Sequence, residues 1–160
     1  MARHNVHATG LVLGTTGLVL RGPSGAGKSL LALALLDAWE GRGQAALLVA
    51  DDRTDLEASP GGVLMHAPPS IAGLIELRGR GIVTRAHVAT AELHLVVDLV
   101  PSLERMPEDS AFTTEVLGAV LPRCPVPQHG VVGLGHQLML VREALRRISP
   151  DRVPPRQNST

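Results

Sequence analysis

The sequence contains almost no aromatic residues. Its 160 residues include one Trp, one Phe and no Tyr, although hydrophobic residues make up 44% of the chain. The core must therefore be built from Leu, Val, Ile and Ala, a composition that suits a sheet covered by helices. Proteins that bind single-stranded nucleic acid rely on stacking aromatic side chains, so this scarcity argues against that function.

An excess of either charge is also missing. The chain has 15 basic and 15 acidic residues, for a formal net charge of zero, and it shows no basic stripe that would attract DNA or an anionic membrane. No apolar run approaches the roughly 18–20 residues of a transmembrane helix, and the polar N-terminus is unlike a signal peptide. A single cysteine, Cys124, excludes an internal disulfide framework and fits a reducing compartment. We therefore expect a cytoplasmic protein without nucleic-acid or membrane partners.

Lysine is nearly absent as well. Of the 15 basic residues, only Lys28 is a lysine, and the others are arginines. A chain this strongly biased toward arginine is expected to keep lysine only where a compact ammonium on a flexible stem is required. Lys28 is therefore a candidate functional residue on composition alone.

The order of apolar runs and breakers predicts one α/β domain with more strands than helices. Residues 11–13 and 17–21 are predicted strands, and a helix should follow from Ser29 to about Glu40. The apolar run 45–50 predicts a buried central strand that ends at two aspartates. We also predict a hairpin over 56–65, strands at 74–77, 82–88 and 93–100, loops at 101–110 and 122–130, and an amphipathic helix over 136–148. The domain should span 1–149, and the proline-rich 150–160 should be a disordered tail.

Residues 22–29 match the Walker A pattern at every fixed position. Glycines allow consecutive backbone N–H groups to converge on phosphate oxygens, and the following helix adds its N-terminal dipole. The pattern follows a predicted strand and precedes a helix without breakers, which is the context that such a phosphate loop requires. The predicted ATP-binding residues are Gly22, Pro23, Ser24, Gly25, Ala26, Gly27, Lys28 and Ser29.

Other residues are weaker candidates when taken alone. Asp51 and Asp52 close an apolar strand, where a carboxylate could handle Mg²⁺ or the proton of a nucleophile, although Asp is also common in turns. His7, Glu76 and Arg105 fit an ordinary exposed surface equally well. The remaining histidines show no zinc-ligand spacing, and Cys124 has no paired motif.

Taken together, the motifs resemble one family, the catalytic domain of HPr kinase/phosphorylase, a bacterial enzyme that phosphorylates a serine of the phosphocarrier HPr. Val6-His7 followed by the phosphate loop, the segment Leu48-Val49-Ala50-Asp51-Asp52, and the segment 75–82 (Ile-Glu-Leu-Arg-Gly-Arg-Gly-Ile) match family motifs in order and spacing. The resemblance covers about residues 5–106 and continues weakly to the last helix. It implies a P-loop kinase fold of the HPr kinase and PEP carboxykinase-like type, with a mixed sheet and flanking helices.

The resemblance also implies roles for individual residues. His7 and Lys28 would belong to the active site, and Asp52, with Asp51 beside it, would be the base that takes the proton of the serine. Ser29 and Glu76 would hold Mg²⁺, and Arg105 would be the active-site arginine. The implied cofactors are ATP and Mg²⁺, the implied partner is an HPr-like phosphocarrier, and the implied assembly is a homo-hexamer.

The sequence departs from the family in two places. The resemblance does not extend to the family's usual N-terminal domain, so we expect the short form found in some alphaproteobacteria. Where the family has an R-P-G-R-N loop before the last helix, residues 127–131 are Pro-Gln-His-Gly-Val. Because the resemblance ties that loop to the phosphorylase reaction, we expect the kinase reaction rather than dephosphorylation.

Two other functions stay open from the residues. A P-loop kinase of small molecules would share the phosphate loop, but it would be expected to carry an arginine-rich lid, and the stretch 101–130 contains only Arg105 and Arg123. A nucleotide-sensing regulatory module without transferase activity would agree with the altered segment 127–131.

Overall fold

The computed structural model describes residues 2–148. Within this range the chain forms twelve strands, two α-helices and two short 3₁₀ helices, Pro69–Ile71 and Asp109–Phe112. The helices are α1 (Lys28–Glu40) and α2 (Leu134–Ile148). The strands are β1 (Arg3–Val6), β2 (Ala8–Leu13), β3 (Thr16–Arg21), β4 (Ala46–Ala50), β5 (Thr54–Ser59), β6 (Gly62–His66), β7 (Leu74–Leu77), β8 (Gly81–Thr84), β9 (Thr90–Glu92), β10 (Leu95–Val100), β11 (Thr113–Val116) and β12 (Ala119–Pro127). The tail predicted for 150–160 lies outside the described residues.

A six-stranded mixed sheet is the centre of the described structure, in the order β11-β12-β10-β3-β2-β4. The neighbours β3, β10 and β12 run parallel, whereas β2 is antiparallel to both β3 and β4. Because parallel strands end at the same edge of a sheet, the chain leaves β3, β10 and β12 on one side of the molecule. The mixed α/β class predicted from the sequence is confirmed.

Both helices pack on one face of this sheet. Leu18 and Leu20 of β3 share a core with Leu35 of α1 and with Val141 and Leu145 of α2. Helix α1 is apolar on most of its faces, as its Ala/Leu-rich sequence predicts, because it is buried against both the sheet and α2. None of the helices among residues 2–148 is long and apolar enough to cross a membrane.

A second sheet, β1-β5-β6-β9, covers the opposite face. Its Leu56 and Met65 pack with Val19, Val49 and Val96 of the central sheet in a separate apolar cluster. Aliphatic side chains thus fill the space on both faces of the central sheet. The hairpin predicted over 56–65 is confirmed as β5 and β6, which pair in antiparallel register.

The prediction that residues 45–50 form a central strand is wrong. Strand β4 is buried, but it lies at the end of the six-stranded sheet and pairs there with β2 alone. Its free edge is partly covered by the segment 86–88, because Leu48 donates to the carbonyl of Ala86 and accepts from the amide of Val88. A continuous apolar run reports burial on both faces of a strand, and it does not report the position of the strand in the sheet.

The loop predicted for 122–130 is also wrong, because most of it belongs to β12. Residues 119–122 of this strand pair with β11, whereas residues 123–127 pair with β10 on the other side. Pro125 and Pro127 therefore lie beyond the end of β11, where the second edge of β12 has no partner strand. A missing N–H is tolerated at such an unpaired edge, so the prolines do not end the strand.

A glycine of β3 is required by close backbone packing. The amide of Gly17 donates to Nδ1 of His94 at 2.9 Å, and its carbonyl accepts from the amide of His94 at 2.8 Å. A Cβ at this position would overlap the carbonyl oxygen of Glu92. The segment that leads into β10 is therefore packed directly against the Cα of Gly17.

We predict that Gly17→Ala lowers the free energy of unfolding by about 3 kcal/mol, because backbone atoms must move to admit the methyl group. Chemical denaturation of both proteins measures the difference. Gly61→Ala is the matched control, since a Cβ there meets nothing within 4 Å. Equal losses in the two variants would contradict the packing argument.

Candidate active site

The phosphate loop connects the end of β3 to the start of α1. Gly25 and Gly27 have φ angles of 82° and 95°, a left-handed conformation that residues with a Cβ rarely adopt. Gly27 is the N-cap of α1, which begins at Lys28. The free amides of the first helical turn therefore face the loop, in the arrangement that binds phosphate groups in other proteins.

Lys28 lies inside this loop and is only 6% exposed. Its ammonium donates hydrogen bonds to the carbonyl oxygens of Gly22 at 2.7 Å and Pro23 at 3.2 Å. The side chain thus folds back on the backbone of its own motif. A compact ammonium can make these two contacts and still pivot on its flexible stem, which a planar guanidinium cannot.

The carboxylate of Asp51 joins the loop to three other elements. Its Oδ1 accepts hydrogen bonds from the hydroxyls of Ser29 at 2.8 Å and Thr9 at 3.0 Å. Its Oδ2 accepts from the backbone amide of Glu76 at 3.1 Å. Asp51 therefore holds together the ends of β2, α1, β4 and β7.

Thr9 is a site residue that sequence reasoning did not single out. It is fully buried, and its hydroxyl accepts from the amide of Asp52 at 3.0 Å while donating to Asp51. Asp52 has a φ of 65°, so the chain turns sharply through a left-handed residue, which Asp tolerates better than most. A threonine within an apolar strand gives no signal of this contact before the strands are paired.

His7 and Asp52 form the open end of the site. Nε2 of His7 lies 2.5 Å from Oδ1 of Asp52, although the two residues are 45 positions apart in the sequence. His7 follows β1 directly, and β1 pairs with β5 just after Asp52, which brings the two side chains together. More than a third of each side chain remains exposed, with values of 41% and 56%.

The oxygen donors around Asp51 fit a hard cation such as Mg²⁺. That ion is usually held by one or two carboxylates together with substrate phosphates, and Asp51 and Ser29 supply a carboxylate and a hydroxyl beside the phosphate loop. Glu76 touches Asp51 through its backbone, and its side chain is exposed on β7. No group of three or more His, Cys, Asp and Glu side chains among residues 2–148 is arranged to hold a metal by itself.

Arg105 lies in the exposed segment that follows β10. It makes no hydrogen bond or ion pair with the residues of this cluster or with any other described residue. The contacts described above therefore join His7, Lys28, Ser29, Asp51, Asp52 and the backbone of Glu76, and Arg105 takes no part in them.

A second contact missed from the sequence comes from the segment after β12. The amide of His129 donates to the carbonyl of Ala26 at 3.0 Å, and a Cβ on Gly27 would come within 2.8 Å of the Cβ of His129. The segment that replaces the family's R-P-G-R-N loop thus packs on the phosphate loop. The sequence placed His129 among the scattered histidines, because its neighbourhood depends on the parallel pairing of β10 and β12.

Comparisons with known proteins all identify relatives of HPr kinase. The sequence model of the HPr Serine kinase C-terminal domain matches residues 1–130. An HPr kinase/phosphorylase of Levilactobacillus brevis is 30% identical over 154 residues, covering 89% of this chain and 46% of the relative. One from Burkholderia cenocepacia is 32% identical over 157 residues, covering 91% of this chain and 45% of the relative. The chain therefore spans about half the length of the curated relatives that it matches.

A solved structure agrees with these sequence matches. The Hpr(Ser) kinase/phosphatase from Coxiella burnetii superposes with a TM-score of 0.70 at 30% sequence identity. The match covers 90% of this chain and 92% of that chain. The two chains therefore share their fold over most of their lengths.

We predict that Thr9→Val destabilises the protein by about 1–3 kcal/mol, because the fully buried hydroxyl of Thr9 no longer bonds to the carboxylate of Asp51 and the amide of Asp52. Urea unfolding of both proteins provides the measurement. Thr113→Val on β11 is the control, since that threonine is exposed and its hydroxyl bonds to none of the described residues. If the two variants unfold alike, Thr9 does not hold the turn.

Proposed function

Because the chain belongs to the family of the HPr serine kinase C-terminal domain, we propose that it transfers the terminal phosphoryl group of ATP to a serine of an HPr-like phosphocarrier protein. The observation that carries this proposal is the contact between the phosphate loop and the turn at Asp51 and Asp52. The hydroxyl of Ser29 lies 2.8 Å from Asp51, and the exposed carboxylate of Asp52 is the next residue. A candidate phosphate-binding loop and an exposed carboxylate thus share one site.

The loop supplies binding and charge neutralisation. Its backbone amides and the N-terminus of α1 would contact the phosphates of ATP. Lys28, which now bonds to the carbonyls of Gly22 and Pro23, would turn its ammonium toward the terminal phosphates. Phosphoryl transfer depends mainly on such positioning and electrostatic stabilisation.

Ser29 and Asp51 are the residues that would hold Mg²⁺, with the side chain of Glu76 as a further oxygen donor. When bound there, Mg²⁺ would supply positive charge that stabilises the negative charge developing on the transferred phosphoryl group. This assignment adds Asp51 to the pair expected from the resemblance, because Asp51 rather than Glu76 contacts the hydroxyl of Ser29.

Asp52 is suited to act as the general base. Its carboxylate would accept the proton of the serine hydroxyl as that oxygen attacks the terminal phosphorus of ATP, and ADP would leave. His7 lies 2.5 Å from the carboxylate and fixes its direction. The left-handed turn at Asp52 presents the side chain to solvent, where a serine on the surface of another protein can reach it.

The side chain of Asp52 is 56% exposed, as a base that acts on a serine of another protein requires. The cytoplasmic location and homo-hexameric assembly that the family resemblance implies remain predictions, as does the contribution of Arg105 to the reaction.

We predict that the chain, mixed with Mg-ATP and the HPr encoded in the same genome, adds one phosphate to a serine, detected by intact mass. Lys28→Ala should abolish the added mass because the ammonium no longer contacts the phosphates. Arg146→Ala removes an exposed cation of α2 as a control, and it should leave the transfer unchanged.

Two results would overturn this proposal. ATP binding without any transfer would favour a regulatory nucleotide-sensing module. Consumption of ATP driven by small metabolites, with HPr inert, would favour a small-molecule kinase.

We further predict that Asp52→Asn lowers kcat by about 10²–10⁴-fold while ATP affinity is retained, because the amide cannot accept the proton of the serine. Steady-state kinetics and nucleotide titration separate the two effects. Asp55→Asn is the control, since Asp55 bonds to Asn5 outside the site. Near-normal turnover by Asp52→Asn would show that another group is the base.

A further inference from the structure

Three parallel strands end beside the candidate site, and each is followed by a segment that carries a residue discussed above. The phosphate loop follows β3, the segment carrying Arg105 follows β10, and the segment carrying His129 follows β12. A single cluster of charged side chains crosses these strands just before they end. None of its members was singled out from the sequence as a site residue.

The cluster consists of Asp98 on β10 between Arg21 on β3 and Arg123 on β12. Arg21 makes a bidentate contact, with Nε 2.7 Å from Oδ1 and Nη2 2.9 Å from Oδ2 of Asp98. Nε of Arg123 donates to Oδ2 of Asp98 at 2.6 Å, and its Nη1 donates to the carbonyl of Ala111 at 3.0 Å. One carboxylate therefore connects three strands and the 3₁₀ helix that follows the Arg105 segment.

The charges of the cluster are largely shielded from water. The side chain of Asp98 is 16% exposed, and those of Arg21 and Arg123 are 37% and 22% exposed. Burial by itself would raise the pKa of Asp98, but the hydrogen bonds from Arg21 and Arg123 outweigh it and hold this pKa below its usual value. The hydrogen bond to Asp98 raises the pKa of Arg21, so the pair formed by Arg21 and Asp98 is charged at neutral pH.

Arg21 is the last residue of β3, and Gly22 of the phosphate loop follows it directly. Its backbone is paired with Ala8 on one side and with Asp98 on the other. Its guanidinium donates two hydrogen bonds to the carboxylate of Asp98. The next carbonyl along the chain, that of Gly22, is an acceptor for the ammonium of Lys28. Arg21 is therefore bonded through the chain to the residue whose carbonyl holds Lys28.

We propose that Asp98 is a positioning residue that acts through Arg21 to hold the phosphate loop in the shape that binds nucleotide phosphates. This inference rests on the proposed function, since it assigns a scaffold to the same nucleotide site. A buried ion pair is often no more stabilising than apolar residues of similar size. The bidentate contact instead fixes the orientation of Arg21, the residue directly before the loop.

The test compares the affinity for Mg-ATP, measured with a fluorescent ATP analogue, in Asp98→Asn, Arg21→Gln and the double variant. We expect each single change to weaken binding about tenfold, within the range that network mutations produce. The double variant should lose no more than the weaker-binding single variant, because both changes break one connection. Arg21→Lys, which keeps the charge but loses the bidentate contact, should also weaken binding.

Glu57→Gln is the matched control. Glu57 is a carboxylate of similar exposure, 21%, that pairs with Arg3 and His66 in the sheet on the opposite face. We expect this change to leave nucleotide affinity unchanged. Thermal unfolding of every variant shows whether the assay temperature lies well below the melting temperature.

The outcomes separate the two proposals. If the wild type binds no Mg-ATP, the proposed function fails, and this inference fails with it. If the wild type binds but Asp98→Asn binds equally well, or if the two single losses add in the double variant, Asp98 does not position the loop. If Asp98→Asn does not fold, undiminished affinity in Arg21→Lys would overturn the inference instead.

Discussion

The carboxylate of Asp51 accepts three hydrogen bonds from parts of the chain that are far apart in sequence. Ser29 reaches it from the first turn of α1, Thr9 from β2, and the amide of Glu76 from β7. Because each carboxylate oxygen can accept more than one hydrogen bond, one side chain fixes the position of four elements. The exposed carboxylate of the next residue is placed by the same contacts, since Thr9 also binds its amide.

The central sheet makes this convergence possible. Strands β3, β10 and β12 run parallel and end at one edge, so their following segments meet there without any long connection. Aliphatic cores on both faces hold the sheet between two helices and a second sheet. Near the carboxyl ends of these strands, the hydrogen-bonded ion pairs of Asp98 with Arg21 and Arg123 connect the same three strands.

Local sequence patterns gave correct predictions where a structural feature depends on one continuous segment. The glycine-rich loop followed by an Ala/Leu helix predicted the phosphate site and α1, and four motifs in order predicted the family, which the comparisons confirmed. Local patterns gave wrong predictions where the structure depends on which strands pair with each other. The prolines of β12 predict a loop, because the sequence does not show that one side of this strand has no partner strand. The apolar run of β4 predicts a central strand, because a strand at the end of a sheet can be buried on both faces too.

The sequence by itself determined the phosphate loop, its single lysine, the aliphatic α/β composition and the pair of aspartates at the end of a strand. These features depend on neighbouring residues and on backbone conformations that only certain residue types adopt. The tertiary structure alone decided that His7 contacts Asp52, that Thr9 binds the turn at Asp51 and Asp52, and that His129 packs against Gly27. These contacts join residues from separate strands, and their distances follow from strand order and direction, which no local pattern specifies.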